Sequence, residues 1–246
     1  MEHYTASLKD VGKKDIERAG GKGTHLGEMI RAGLPVPEGF VLLTHAYRRF
    51  ADTHHIAKSI DQLLEGLDVH DIAGAEEASS QIQALFTEGD IPGDMREEIV
   101  KAYREIGGGP VAVRSSATAE DMPGTSFAGQ YDTYLHISGT KQLMEYIRAC
   151  WASLWNTRAL LYRLKHRIGS DIAHGVVVQR MVNASVSGIL FTAHPMNGRR
   201  DRMLLNASWG LGESVVGGTV TPDQWVLDRS RGEVLERIIA DKRVMT

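Results

Sequence analysis

Residues 111–135 read Val-Ala-Val-Arg-Ser-Ser-Ala-Thr-Ala-Glu-Asp-Met-Pro-Gly-Thr-Ser-Phe-Ala-Gly-Gln-Tyr-Asp-Thr-Tyr-Leu. An apolar strand delivers one arginine, Arg114, into a loop of hydroxyls and small residues, and a second strand begins near Tyr131. Gly124 and Gly129 permit close backbone approach. Ser115, Ser116, Thr118, Thr125 and Ser126 carry hydroxyl donors, and the guanidinium of Arg114 offers a planar fork to phosphate oxygens. On composition alone the stretch reads in two ways: a lid that covers an anion, or a polar surface hairpin with a satisfied arginine.

The flanks set this hairpin in a mixed fold. Gly107-Gly-Gly-Pro110 stops a helix and turns the chain into the strand. Before it, residues 53–110 are helical in pattern, with Ile72, Ala75, Ser79, Ile82 and Phe86 close to one face. Met95, Ile99, Tyr103 and Ile106 repeat that spacing. Gly20 to Gly33 reads as a loop, a helix with Leu26, Met29 and Ile30 on one face, and a stop reinforced by Pro35 and Pro37. A short strand spans Phe40 to Leu43, and Thr44 is expected to cap a helix from His45 to about Asp52.

After the hairpin, one long helix is predicted over 140–165. Val176 to Val182 reads as a strand buried on both faces, because its valines run on without alternating. Further strands are predicted near 187–192, 203–208, 223–228 and 233–239. Helices crowd the first part and strands the second, so the expected class is α+β with two lobes, 1–178 and 179–246, hinged near Gln179–Val182.

The composition excludes several functions. Among 246 residues, 42% are hydrophobic and 24% charged, with a net charge of −3, so no global basic field argues for nucleic acid or an anionic membrane. No apolar run approaches the roughly 18 residues of a membrane helix. The single cysteine, Cys150, rules out an internal disulfide, shares helical spacing with Leu143, Ile147 and Leu154, and is expected in the core. With no basic-then-apolar leader at the N-terminus, the expected location is cytoplasmic.

Familiar nucleotide motifs fail. A P-loop needs glycine at position 16 and Ser or Thr at position 23, where Ile16 and Gly23 stand. Gly21-Lys-Gly23 and Gly210-Leu-Gly212 miss the dinucleotide fingerprint at Leu26 and Val215. Gly124-Thr-Ser126-Phe-Ala128 lacks the last glycine of a hydrolase elbow. The ten histidines show no zinc spacing and are expected to be solvated.

Three more stretches carry a resemblance. They are Gly20-Gly-Lys-Gly-Thr-His-Leu-Gly-Glu-Met-Ile-Arg-Ala-Gly33-Leu-Pro-Val-Pro-Glu-Gly-Phe40, Phe191-Thr-Ala-His-Pro195 and Asn206-Ala-Ser-Trp-Gly-Leu-Gly-Glu213. With residues 111–135 they resemble, in order and over nearly the whole chain, the N-terminal ATP-binding domain of phosphoenolpyruvate synthases, rifampin phosphotransferases and, more distantly, pyruvate phosphate dikinases. The resemblance implies an ATP-grasp fold with nucleotide between two lobes. It also implies a C-terminal lobe that is incomplete here, with the Mg²⁺ ligands of the family beyond Thr246.

Read alone, Lys22 is either a solvated turn lysine or a cation awaiting phosphate at a helix start. Gln179, Met181 and Val182 form either plain core strand or a hinge whose backbone reads adenine. Glu213 is either a surface carboxylate or a ribose ligand. The resemblance implies the second reading for Lys22 and for Glu213; Gln179, Met181 and Val182 remain candidates for adenine with both readings open. It places Lys22 and Arg114 on the phosphates in catalytic roles, and Ser115, Thr118, Gly124, Thr125, Ser126 and Gly129 in the lid. It implies a dikinase-type enzyme that converts ATP to AMP and passes a phosphoryl group to a histidine on a downstream domain or subunit, which delivers it to an acceptor domain. The lid sequence is closer to synthases and rifampin phosphotransferases than to dikinases that use inorganic phosphate. Two other readings stand beside it: a non-catalytic or degenerate nucleotide module, and a structural or interaction module, which leaves the lid unexplained.

Overall fold

A computed structural model describes residues 3–117, 132–166 and 173–242, and the chain divides into two compact units, Met1–Met181 and Val182–Thr246. The division falls three residues beyond the expected 178/179 because the last strand of the first unit stays paired through Arg180.

The first unit is built on a five-stranded antiparallel sheet of order β1-β2-β5-β3-β4. The strands are β1 (Thr5–Ser7), β2 (Gly39–Leu42), β3 (Val111–Ala117), β4 (Thr133–Ile137) and β5 (His174–Arg180). Helix α1 (Ile16–Arg31) covers one face, where Ala19 joins Leu8, Val11, Val41, Leu43 and Val177. The other face carries the larger core under α2 (Thr44–Thr53), α3 (Ile56–Leu64), α4 (Ile72–Glu88), α5 (Gly93–Glu105), α6 (Gly139–Ser153) and α7 (Thr157–His166). Strand β5 lies mid-sheet, with Val176 and Val178 in the larger core and Val177 in the smaller one. That double burial is the reason its valines do not alternate with polar residues.

The larger core is aromatic. Phe50 lies 4.9 Å from the Trp151 ring, Tyr47 stacks on Phe86 at 5.4 Å, and Trp155 Nε1 donates to Tyr47 Oη at 3.1 Å. Burial pushes the Tyr47 phenol up to about 12. Cys150 is fully buried among these groups, and burial raises its thiol well above the ordinary range.

Several local expectations change. The helix over 140–165 is two helices, because the chain turns at Leu154–Asn156 and Asn156 Oδ1 accepts the Ala159 N–H to start α7. Thr44 does not cap α2. It is the first helical residue, and its hydroxyl donates to Glu17 C=O at 2.9 Å, tying α2 to α1. Gly33, at φ 78°, does end α1, with Leu34 N–H donating back to Met29 C=O at 3.0 Å. The expectation that the histidines are solvated fails at His174, which is fully buried on β5.

The second unit is an antiparallel meander, β6 (Val186–Phe191), β7 (Arg202–Trp209), β8 (Asp223–Asp228) and β9 (Val234–Ile238), paired in sequence order. A four-residue helix, α8 (Glu213–Val216), follows β7. The class is therefore α+β, with two antiparallel sheets. Among the described residues no helix is long and apolar enough to cross a membrane.

Candidate functional site

The loop expected around Gly20 is instead a break inside a helix. Helix α1 already runs from Ile16, and Gly20 alone leaves helical geometry, at φ 70° and ψ 173°. Only glycine adopts that conformation readily. The break is pressed onto the sheet: a Cβ on Gly20 would lie 1.9 Å from the Ser116 carbonyl oxygen, and one on Gly175 would lie 2.9 Å from the Ala19 oxygen. Further along, a Cβ on Gly27 would meet Val11 O at 2.1 Å. The glycines of this motif thus let a helix sit on strand and loop backbone.

Past the break the helix restarts, and Lys22, partly buried, occupies its first turn. The positive end of a helix and an ammonium group at the same point favour an anion. Thr24 Oγ1 donates towards the carbonyls of Gly20 (3.0 Å) and Gly21 (2.9 Å), holding the turn. Ser116 Oγ accepts the Gly23 N–H at 3.1 Å and donates to Ala19 C=O at 2.8 Å.

Ser116 stands on β3 two residues from Arg114, so both side chains project from the face that α1 covers. Arg114 is partly buried, with Val177 on β5 and Thr133 on β4 as its cross-strand neighbours. One layer of the sheet therefore brings together Ser116, Arg114 and the helix restart that carries Lys22. Ser115 points the other way: it pairs with Val176, and its fully buried Oγ has no hydrogen-bond partner among the described residues. Thr118, Gly124, Thr125, Ser126 and Gly129 lie outside the described residues.

Gln179 sits inside the ladder between Gly39 and Ala112, and its side-chain amide donates to Pro37 C=O at 3.1 Å. Met181 N–H donates to Pro110 C=O at 3.0 Å. Of these residues, Gln179 and Met181 close the first unit, while the exposed Val182 opens the second. Arg180 is exposed and lies 3.4 Å from Glu38. In the second unit Glu213 is exposed in the first turn of α8, behind Gly210 at φ 76°.

The AMP/ATP-binding domain of pyruvate phosphate dikinase, as a sequence family, matches residues 16–246. The chain belongs to this family. It is 42% identical, over its whole length, to a probable phosphoenolpyruvate synthase of Methanothermobacter thermautotrophicus, and 45% identical over 98% of its length to another of Staphylothermus marinus. It is 37% identical, over 97% of its length, to the phosphoenolpyruvate synthase of Pyrococcus furiosus. The chain spans 37%, 30% and 34% of those three relatives, respectively.

Within this AMP/ATP-binding domain, the charge at Lys22 is felt in the core. Burial first, then the charges of Lys22 and Arg163, push the His174 imidazole from 6.5 down to about 3. The folded-state value is depressed, so the unfolded chain takes up the proton first as pH falls. The stability contributed by neutral His174 is complete above pH 6.5 and declines towards about pH 3, by roughly 1.4 kcal/mol per pH unit. His174→Gln removes this dependence. Urea melts at several pH values are expected to show wild type losing its advantage over the variant as the medium is acidified; a constant difference would refute the assignment.

Sequence reasoning ranked Ser116 only as one hydroxyl among five, and it read Gly20 as loop. The signal available was period two along β3, which sets Arg114 and Ser116 on one face and Ser115 on the other.

Proposed function

We propose that this chain binds ATP and is the nucleotide module of a dikinase-type phosphotransferase of the phosphoenolpyruvate synthase kind. The observation that carries this reading is the broken start of α1, with Lys22 in its first turn, set on the same sheet layer as Arg114. In it, the amide groups of the helix restart and the ammonium of Lys22 meet phosphate oxygens from one side, and the guanidinium of Arg114 meets them from the sheet. Charge that develops on the transferred group is then neutralised by groups already in place, which is the main protein contribution to phosphoryl transfer. The reading keeps Gln179, near the end of β5, with Met181 and Val182 just past it, for the adenine. Met181 N–H is already committed to Pro110, so it is the backbone beyond that amide that is left to meet the base. Glu213 serves the ribose.

In this reading ATP is cleaved to AMP and its β-phosphoryl group passes to a histidine on a downstream domain or subunit. The lid of this reading lies within Ser115–Gln130 and is supplied by Thr118, Gly124, Thr125, Ser126 and Gly129. Mg²⁺ screens the phosphates when bound. Among the described residues no group of three or more His, Cys, Asp or Glu side chains fits a metal ion, so we assign it no ligand. The family match and the relatives named above support the reading, as does the ordinary net charge, which gives no reason to invoke nucleic acid. A cytoplasmic location belongs to the same proposal.

Calorimetric titration tests it. ATP is expected to bind more tightly than adenosine, because two cations and a helix start act only on phosphates. Lys22→Ala should weaken ATP by about tenfold to 150-fold, the worth of a charged hydrogen bond at roughly 1.5–3 kcal/mol, and leave adenosine unchanged. Equal affinity for ATP and adenosine in wild type would end the proposal.

A further inference from the structure

In an unbroken α1, the Gly23 N–H would donate to the carbonyl four residues back, that of Ala19. The break at Gly20 parts these two groups, and the hydroxyl of Ser116 enters between them, donating to Ala19 C=O at 2.8 Å and accepting from Gly23 N–H at 3.1 Å. A side chain from β3 is thereby spliced into the hydrogen-bond ladder of α1. Side-chain insertion of this kind is one of the few causes of a sharp helix kink. Ser116 is fully buried, so water does not substitute for it at no cost.

We propose that Ser116 is the positioning residue for Lys22: its hydroxyl holds α1 open at Gly20 and locks the restarted helix to the strand that carries Arg114. Arg114 lies two residues away, about 7 Å along an extended strand, on the same face. One hydroxyl therefore sets the separation of the two cations. A short side chain with one donor and one acceptor is required. Alanine leaves Ala19 C=O and Gly23 N–H without their partner. The nearest remedy is for α1 to straighten and bond Gly23 to Ala19 directly, which carries Lys22 away from its place. The inference rests on the phosphate reading of Lys22 and deepens it.

The test compares ATP with adenosine in wild type, Ser116→Ala, Ser116→Thr, Ser116→Cys and Ser79→Ala. Ser79 is a control: its buried hydroxyl donates to Trp155 C=O at 2.8 Å, in the core of the same unit and away from α1. Ser116→Ala is expected to lose about tenfold or more of the ATP preference while adenosine binding holds. Ser116→Thr, which keeps donor and acceptor, is expected to retain the preference, and Ser79→Ala to retain it despite lower stability. If the alanine variant does not fold, cysteine, a weak donor and acceptor of similar size, is expected to show the same loss in smaller measure. Retention of the full preference in Ser116→Ala, or in Ser116→Cys where only that folds, overturns the proposal. Amide exchange gives a readout free of nucleotide: the Gly23 N–H is expected to exchange about tenfold faster in Ser116→Cys than in wild type, and unchanged protection there also overturns it. Were wild type to bind ATP no better than adenosine, the function proposed above would fall, and the splice would be decided by Gly23 exchange alone.

Discussion

Gly20→Ala is expected to cost about 3 kcal/mol or more, more than the same change at Gly27 or Gly33. Two effects combine. The backbone at φ 70° and ψ 173° is a region that side chains enter only at roughly 1–3 kcal/mol. The new Cβ would also lie 1.9 Å from the Ser116 carbonyl oxygen, a backbone atom of β3 held by pairing with Gly175 on β5 rather than the end of a flexible side chain. Overpacking of that sort adds roughly 1–3 kcal/mol. Two controls separate the terms. Gly33, at φ 78°, has nothing within 4 Å of its added Cβ, so Gly33→Ala reports backbone strain alone. Gly27 is helical, and its added Cβ would meet Val11 O at 2.1 Å, so Gly27→Ala reports collision alone. Denaturant melts should rank Gly20→Ala as the most destabilised of the three. If it melts with Gly33→Ala, α1 is not seated on β3 as described.

Arg114→Ala is expected to weaken ATP binding by about tenfold to 150-fold, or roughly 1.5–3 kcal/mol for a charged hydrogen bond, with little change for adenosine. The residue is held more firmly than a surface arginine, because β3 is paired on both sides, with Thr133 and Val177 as neighbours. Such a base fixes the guanidinium before ligand arrives and lowers the entropy lost on binding. Arg114→Lys sharpens the test, since it keeps the charge and removes the planar fork. It is expected to recover only part of the affinity. Full recovery with lysine would show that charge alone acts at this position, and unchanged ATP affinity in Arg114→Ala would remove Arg114 from the site.

The pattern of residues was enough to place most elements of the fold. Strands β6 to β9 fall within a residue or two of the spans predicted for them, since each is a short apolar run bounded by turn residues. Strand β5 was legible because burial on both faces removes alternation. Gly33 marked the end of α1, and the spacing around Cys150 marked a core helix. Of the candidate site, residue type and setting left two readings each for Lys22 and Arg114, and the motif order that ties the chain to its family is what favoured phosphate binding.

Other features depended on what lies opposite in space. Thr44 has the chemistry of a cap, yet its hydroxyl is taken by Glu17 of another helix. His174 has an ordinary polar side chain, yet its place on β5 buries it completely. Ser115 and Ser116 are identical and adjacent, and only the pleat of β3 decides that one enters the core and the other joins α1. Gly20-Gly-Lys-Gly looked like a loop because glycine lowers helix propensity by about 1 kcal/mol per residue. Close packing on Ser116 O and Val11 O, with the Ser116 hydroxyl standing in for the lost helical bond, outweighs that local preference. Residue type and periodicity thus determined the class and most of the strands, and left Lys22 and Arg114 as candidates. The broken helix that sets Lys22 beside β3 was decided by tertiary contact, because the hydrogen-bond partner it requires comes from 93 residues away in the chain.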